Sequence, residues 1–241
     1  YTAAEAAKGL DFMARAGVRS TVAIGALPSA INLAAAAGED FNATTDRSLK
    51  LMGAFQLNSK NEAQQIINYA RLNDVLAAGV NKAQVTVEDL FETMKQAGPI
   101  ATTLGYDLES TTAAGLALAK SGLVGTVGAT ALKNSMLRLV NPRVLKMLRA
   151  NKVAIADAAG EALPFSKILQ NLGDKLKGLG SLKRTQILSQ IFGRYAVAGA
   201  TGLIKNLSMM NEFEAELRQV TGTSKMMMDR MQRLSRLGFR L

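Results

Sequence analysis

The chain has no histidine, no cysteine and no tryptophan in 241 residues, only four prolines, and aromatics at 5%. Without cysteine there is no disulfide framework and no thiolate zinc site. Without histidine, the usual general base and the commonest transition-metal ligand are both missing, so metal chemistry would rest on carboxylates alone. We assign no catalytic, cofactor-binding or metal-binding residue. No basic region followed by an apolar run and a cleavage site marks a secretory leader. Opening on Tyr1 rather than Met, the chain reads as a piece of a longer protein. Long apolar runs are scarce. The longest charge-free stretch, Ser20 to Gly38, has the length of a membrane span, but Pro28, Ser29 and Asn32 interrupt it, and we expect a packed helical hairpin there.

Charge is abundant and one-sided, with a formal net charge of +10. Residues 1–141 hold 12 Lys/Arg and 12 Asp/Glu, whereas 142–241 hold 17 against 7, so the excess lies wholly in the second part. Such a field suits an acidic protein surface, a nucleic acid or an anionic membrane, or serves as a solvated face.

Ala, Leu and Met predominate, and Gly or Pro recurs every dozen or so residues. The expected fold class is all-α, with many short packed helices. Ala63, Ile66, Ile67 and Ala70, then Val87, Leu90, Phe91 and Met94, then Leu188, Ile191, Phe192 and Tyr195 each form an apolar stripe at helical spacing. Thr2 with Glu5, and Ser59 with Glu62, fit the capping box. Gly17, Gly38, Gly105 and Gly122 sit where helices stop in the left-handed conformation. Gly98-Pro99 is expected to end one helix and start the next, and Gly122, Gly125 and Gly128 to permit close helix contact. Asn141-Pro142 and Pro164 are expected to open helices. One segment alternates instead: Val153 to Ala156, a turn at Asp157 to Gly160, and a return over Glu161 to Phe165 suggest a small β-hairpin near 152–165.

The charge change and this segment together divide the chain into a neutral helical subdomain at 1–141, a basic helical subdomain at 142–208 and C-terminal helices at 209–241. In the last part Met210, Phe213, Leu217, Val220, Ser224, Met227, Met231 and Leu234 alternate by three and four, the seam of a coiled coil. Thr221-Gly222-Thr223 can instead end one helix and cap another, so one long helix and two separate ones both stay open. The methionines at 226–228 and 231, with Met209 and Met210, fit a gap-filling core or an adaptable surface.

A search for chemistry finds little. The series from Gly122 to Gly128 lacks dinucleotide spacing, and Gly178 to Thr185 lacks the adjacent Gly-Lys of a phosphate loop. Glu39-Asp40 and Glu88-Asp89, with Glu92, sit at expected helix starts, where negative charge complements the helix dipole. Ser and Thr are plentiful but have no His to serve as base, and a Ser/Lys pair stays open. Arg230, Arg233, Arg236 and Arg240 come nearest to a basic helical face, and only Phe239 lies near them for stacking.

Several segments, in order, carry a resemblance: Thr86 to Leu90, Gln96 to Gly105, Glu109 to Gly122, Gly128 to Leu139, Asn141-Pro142, Leu163 to Leu169, and Ile191 to Arg194. Together they make the region from about Asn42 to Met228 resemble the core of phage tail tape-measure proteins. The first forty residues match more loosely, with Ser20 to Ala36 still recognisable. The resemblance implies a structural, non-enzymatic protein of the virion without cofactors, placed in the tail lumen near the tip. It implies roles in tail length determination, tail assembly and DNA ejection. The implied partners are tail-tube proteins, tail-tip proteins of the distal tail and baseplate hub, and further copies of itself, as a homotrimer. During ejection the host inner membrane and phage DNA join them. A membrane-active, pore-forming helical protein is the alternative. A ruler must be extended, at about 1.5 Å per helical residue, and residues 1–208 are too often interrupted. We therefore expect a compact portion here and the ruler elsewhere, beginning near the seam at 210–234.

Overall fold

The computed structural model describes residues 3–83 and 85–220. The fold is all-α, as expected. In chain order the helices are α1 (Ala3–Arg15), α2 (Ser20–Ala37), α3 (Phe41–Ala54), α4 (Glu62–Ala83), α5 (Val87–Thr103) and α6 (Leu108–Ala119). They continue with α7 (Gly125–Leu139), α8 (Pro142–Ala150), α9 (Phe165–Leu176), α10 (Ser181–Lys205) and α11 (Leu207–Val220). The expected cap at Thr2, the seam beyond Val220, the methionines from 226 onward and the cluster from Arg230 to Arg240 lie outside the described residues.

Helix α6 is the axis of the bundle. Its residues Leu108, Glu109 and Thr111 to Leu118 are all buried, and it touches α4, α5, α7, α9, α10 and α11. A helix that is apolar nearly all round belongs inside, and its Ala, Gly and Thr side chains let neighbours come close. Around it α2 lies on α4, α5 on α7, α7 on α10, and α11 on α6. The buried residues from Met13 to Leu217 make one continuous core. Three buried hydroxyls are satisfied locally: Thr111, Thr112 and Ser135 donate to the carbonyls four residues earlier, each at 2.7 Å.

Local sequence rules account for most helix ends. Asp40, Asp107 and Asn141 accept first-turn amides of α3, α6 and α8 at 3.0 Å. Thr86 and Asp89 form a complete capping box on α5. Gly17, Gly38, Gly105 and Gly122 all have positive φ. Asn141-Pro142 opens α8, and Pro164 is the N-cap of α9. The box assigned to Ser59 is not formed. Asn61 accepts from the Gln64 amide at 3.0 Å instead, while Glu62 turns to the Thr21 hydroxyl at 2.6 Å.

Four further expectations are corrected. The stretch from Ser20 is one helix, not a hairpin, and it is long and apolar enough to cross a membrane, although seven of its residues are buried in this bundle. Gly98-Pro99 does not break α5, which runs through to Thr103. A side chain on Gly98 would strike the Phe55 ring at 2.8 Å, so this glycine serves the approach of α3. The stripe at the start of α4 is only partly buried: Ala63 is exposed, Ile66 and Ile67 are half-buried and Ala70 is buried, and the buried face runs on through Tyr69, Leu72, Asn73, Leu76 and Gly79. Near 152–165 no strand forms among the described residues. Ala156 and Ala162 make a single antiparallel bridge, with the Asp157 amide donating to the Glu161 carbonyl and the Leu163 amide to the Ile155 carbonyl, each at 2.9 Å, and the alternating run of four residues is too short to pair further.

Of the glycine series, Gly122 ends α6 while Gly125 and Gly128 make the close approach. A side chain at Gly125 would meet the Asp89 carboxylate at 3.1 Å, and one at Gly128 the Leu123 carbonyl at 2.6 Å. Charged groups then tie α11 down. Arg71 of α4 grips Glu109 of α6 with both forks of its guanidinium, although the Glu109 side chain is only 1% exposed. Arg218 of α11 donates to Asp107 at 2.7 and 3.2 Å and to Glu214 at 2.7 Å, and Lys82 of α4 pairs with Glu216. Burial alone would raise the Asp107 carboxyl. The hydrogen bonds from Arg218 and Ser110 outweigh it and hold the group below the usual carboxylate range.

Candidate interaction surface on helices α7, α8 and α10

The carboxylates considered from sequence are all structural. Asp40 and Asp89 cap helices, Glu39 and Glu88 both reach Arg47, and Glu92 takes Lys95. Among the described residues no cluster of His, Cys, Asp or Glu is arranged to hold a metal ion.

The surface that stands out is electrostatic. From Ser110 to Ala156 the chain carries seven Lys/Arg and no Asp/Glu. Comparing the charge of the two halves concealed this run, which straddles their boundary; a sliding count of acids would have found it. The fold gathers much of it onto α8. Val144 and Leu148 point into the core, whereas Arg143, Lys146 and Arg149 are exposed. The helix ends at Asn151, and Lys152, also exposed, takes a left-handed backbone with φ 55°.

Beside α8 lie two adjoining hollows. One, of about 610 Å³, is lined by Arg138, Asn141, Arg143, Met147 and Gln190, among others. The second, of about 460 Å³, shares Arg138 and Asn141 and is walled by Leu137, Phe192, Arg194 and Tyr195. No acidic residue lines either. Their surroundings are apolar and open to solvent: Leu137 is 40%, Val140 47% and Tyr195 70% exposed. The Arg194 guanidinium lies over the Tyr195 ring, 4.7 Å from its centroid.

Tyr195 is exposed because the third predicted stripe is broken. Leu188, Ile191 and Phe192 are buried as expected, but Gly193 interrupts α10 with φ 71° and ψ 173° and turns the following residue outward. Arg138 fills the break: its Nε donates to the Phe192 carbonyl at 3.2 Å. In α11, the described part of the predicted seam packs on the chain's own core, with Met210, Phe213 and Leu217 buried and Val220 half-buried.

Among the described residues the fold is an all-α bundle that carries a basic face with apolar edges. The family model for phage-related minor tail proteins matches residues 1–193, and the chain belongs to that family. It is 27% identical to a tape measure protein of Pneumococcus phage Dp-1, over 96% of this chain and 20% of the relative. It is 24% identical to a probable tape measure protein of Escherichia phage P2, over 84% of this chain and 24% of the relative. The chain thus spans about a fifth to a quarter of the curated relatives it matches. No solved structure gives a significant match.

Proposed function

We propose that this chain is a compact helical segment of a tape-measure protein. In this reading it works in the phage tail, near the tip, in tail assembly, length determination and DNA ejection, in three copies and without enzymatic activity. The rod that measures length lies in other parts of the protein. The alignment of nearly the whole chain with a fifth of one tape measure protein supports a segment role, and helices of 9 to 25 residues packed on one core support compactness.

The basic face of α8 and its neighbouring hollows dock an acidic surface of a tube or tip protein. The carrying observation is the acid-free run that forms this face. Its exposed Tyr195, Leu137 and Val140 favour a protein partner over DNA, because phosphate contacts need cations but no apolar edge, whereas protein interfaces are enriched in Tyr and Arg. Zero-length coupling of amines to carboxylates in assembled tails tests this. Lys146 and Lys152 are expected to couple to Asp or Glu of another tail protein, and the Arg143→Glu, Lys146→Glu, Arg149→Glu triple variant to block tail assembly while keeping its helical circular dichroism. Lysines that couple to no neighbouring protein, with normal tails from the triple variant, would overturn the docking role.

A further inference from the structure

Helix α10 holds two arms that a straight helix would keep far apart. Arg184 and Leu188 from the first arm line the same hollow, of about 480 Å³, as Thr201, Ile204 and Lys205 from the second. On a straight helix Leu188 and Thr201 would lie about 20 Å apart along the axis, at 1.5 Å per residue. The chain therefore folds back at Gly193, whose φ of 71° and ψ of 173° belong to a region only glycine populates.

The sequence does not ask for this bend. At about 100° per residue, an unbroken helix would bring Leu188, Ile191, Phe192, Tyr195, Ala196, Gly199 and Leu203 onto one half of its circumference. The bend breaks that face and leaves Tyr195 70% exposed. Burial of Leu188, Ile191 and Phe192 in the core holds the end of the first arm next to the bend, and two close contacts hold the bend itself. Arg138 takes the Phe192 carbonyl at 3.2 Å, and its guanidinium lies where a side chain on residue 193 would go, with the terminal nitrogen 2.3 Å from that position. The second arm is anchored, since Gly199 packs so closely on Ala131 that a side chain there would overlap it at 2.6 Å. The first arm is loosely held at its start, where every residue from Ser181 to Gln186 is exposed.

We propose that Gly193 is a hinge and Arg138 its latch. Releasing the latch lets the first arm swing out into a second conformation, an unbroken 25-residue helix about 38 Å long, with Tyr195 rejoined to its apolar stripe. The hinge converts part of a compact bundle into a rod without unfolding it. This inference goes beyond the tail-assembly reading and does not depend on it.

The absence of cysteine allows a clean test by spin-label distances from Leu182→Cys and Lys205→Cys. In a straight helix these positions lie about 35 Å apart along the axis, and in the bent form they are much closer. Gly193→Ala forbids the glycine-only backbone and Arg138→Gln removes the fork that fills the bend. Each variant is expected to raise a population near 35 Å, with helical circular dichroism kept or increased. Parent-like distances in both variants would overturn the hinge. So would a Gly193→Ala chain that loses its helical signal without gaining the long distance, provided Arg138→Gln stays folded at the parent distance.

Discussion

The Arg71–Glu109 pair offers the sharpest test of what holds the bundle together. Glu109 lies in the first turn of the central helix with its side chain 1% exposed, and Arg71, 32% exposed, is its charged partner. Arg71→Met keeps much of the aliphatic bulk and removes the guanidinium, leaving a buried carboxylate unpaired. Breaking one side of a buried pair costs about 3–5 kcal/mol. For a chain of this size each kcal/mol shifts the melting temperature by about 2–4 °C, which places the expected drop at about 6–20 °C. The same reasoning makes the pair itself worth little, because taking both charges out of water nearly cancels their attraction. The double variant Arg71→Met, Glu109→Leu should therefore recover most of the loss, apart from a contribution of about 0.3–1 kcal/mol from Glu109 at the positive end of α6.

Urea unfolding of the parent, both single variants and the double variant measures this as a shift in midpoint at constant slope. Two results would refute the reasoning. One is a loss below about 1 kcal/mol for Arg71→Met, which would mean that water reaches Glu109 and screens it as at a surface. The other is a double variant as unstable as the two singles added together, which would mean that the residues do not act as a pair.

Two further outcomes follow from the same structure. Asp107 has a lowered carboxyl pKa in the folded state, so its contribution is present above its unfolded value near 3.8 and is lost as pH falls through the folded value. Midpoints measured from pH 6 to 2 should show this loss, and Asp107→Asn, which keeps the capping oxygen, should flatten that part of the curve. Pro99→Ala should leave the fold unchanged and add stability, up to about 3 kcal/mol, since it restores an amide to a helix that already runs through this position; a destabilised variant would show that the proline is required.

How far the sequence could be read depended on the range of the interactions involved. The helix opening at Asn141-Pro142 and the stops at Gly17, Gly38, Gly105 and Gly122 involve partners within a few residues. Their residue types therefore declare them. The stripe Val87, Leu90, Phe91, Met94 was legible for the same reason, being one face of one helix buried as a unit. Tyr195 was not, because its exposure depends on Arg138, fifty-seven positions earlier, meeting the backbone at Phe192. The basic face was in view in the composition, since cations without acids over 110–156 need no structure to be counted. What needed the fold was the arrangement that puts Val144 and Leu148 inward and the charges outward, beside two hollows contributed by α7 and α10. No sequence spacing relates those three helices.

Helix-breaking residues in this chain change the path of the backbone only where the break falls at a packed junction. Pro28 and Pro99 sit inside α2 and α5, and each removes the amide that would have bonded the carbonyl four residues before. Those carbonyls belong to Ile24 and Lys95, both exposed, and the prolines are exposed too. Water can replace the missing donor, so both helices continue, and expecting Pro99 to act as a stop ignored which side of the helix it faces. At Gly193 the geometry is reversed. Phe192 is buried, and the break persists beside a donor that Arg138 supplies to its carbonyl. An unsatisfied buried carbonyl would cost about 1–3 kcal/mol, enough to favour straightening if the arginine were removed. The residue type at a break thus says that a bend is allowed, whereas the partner available to the freed carbonyl decides whether it forms.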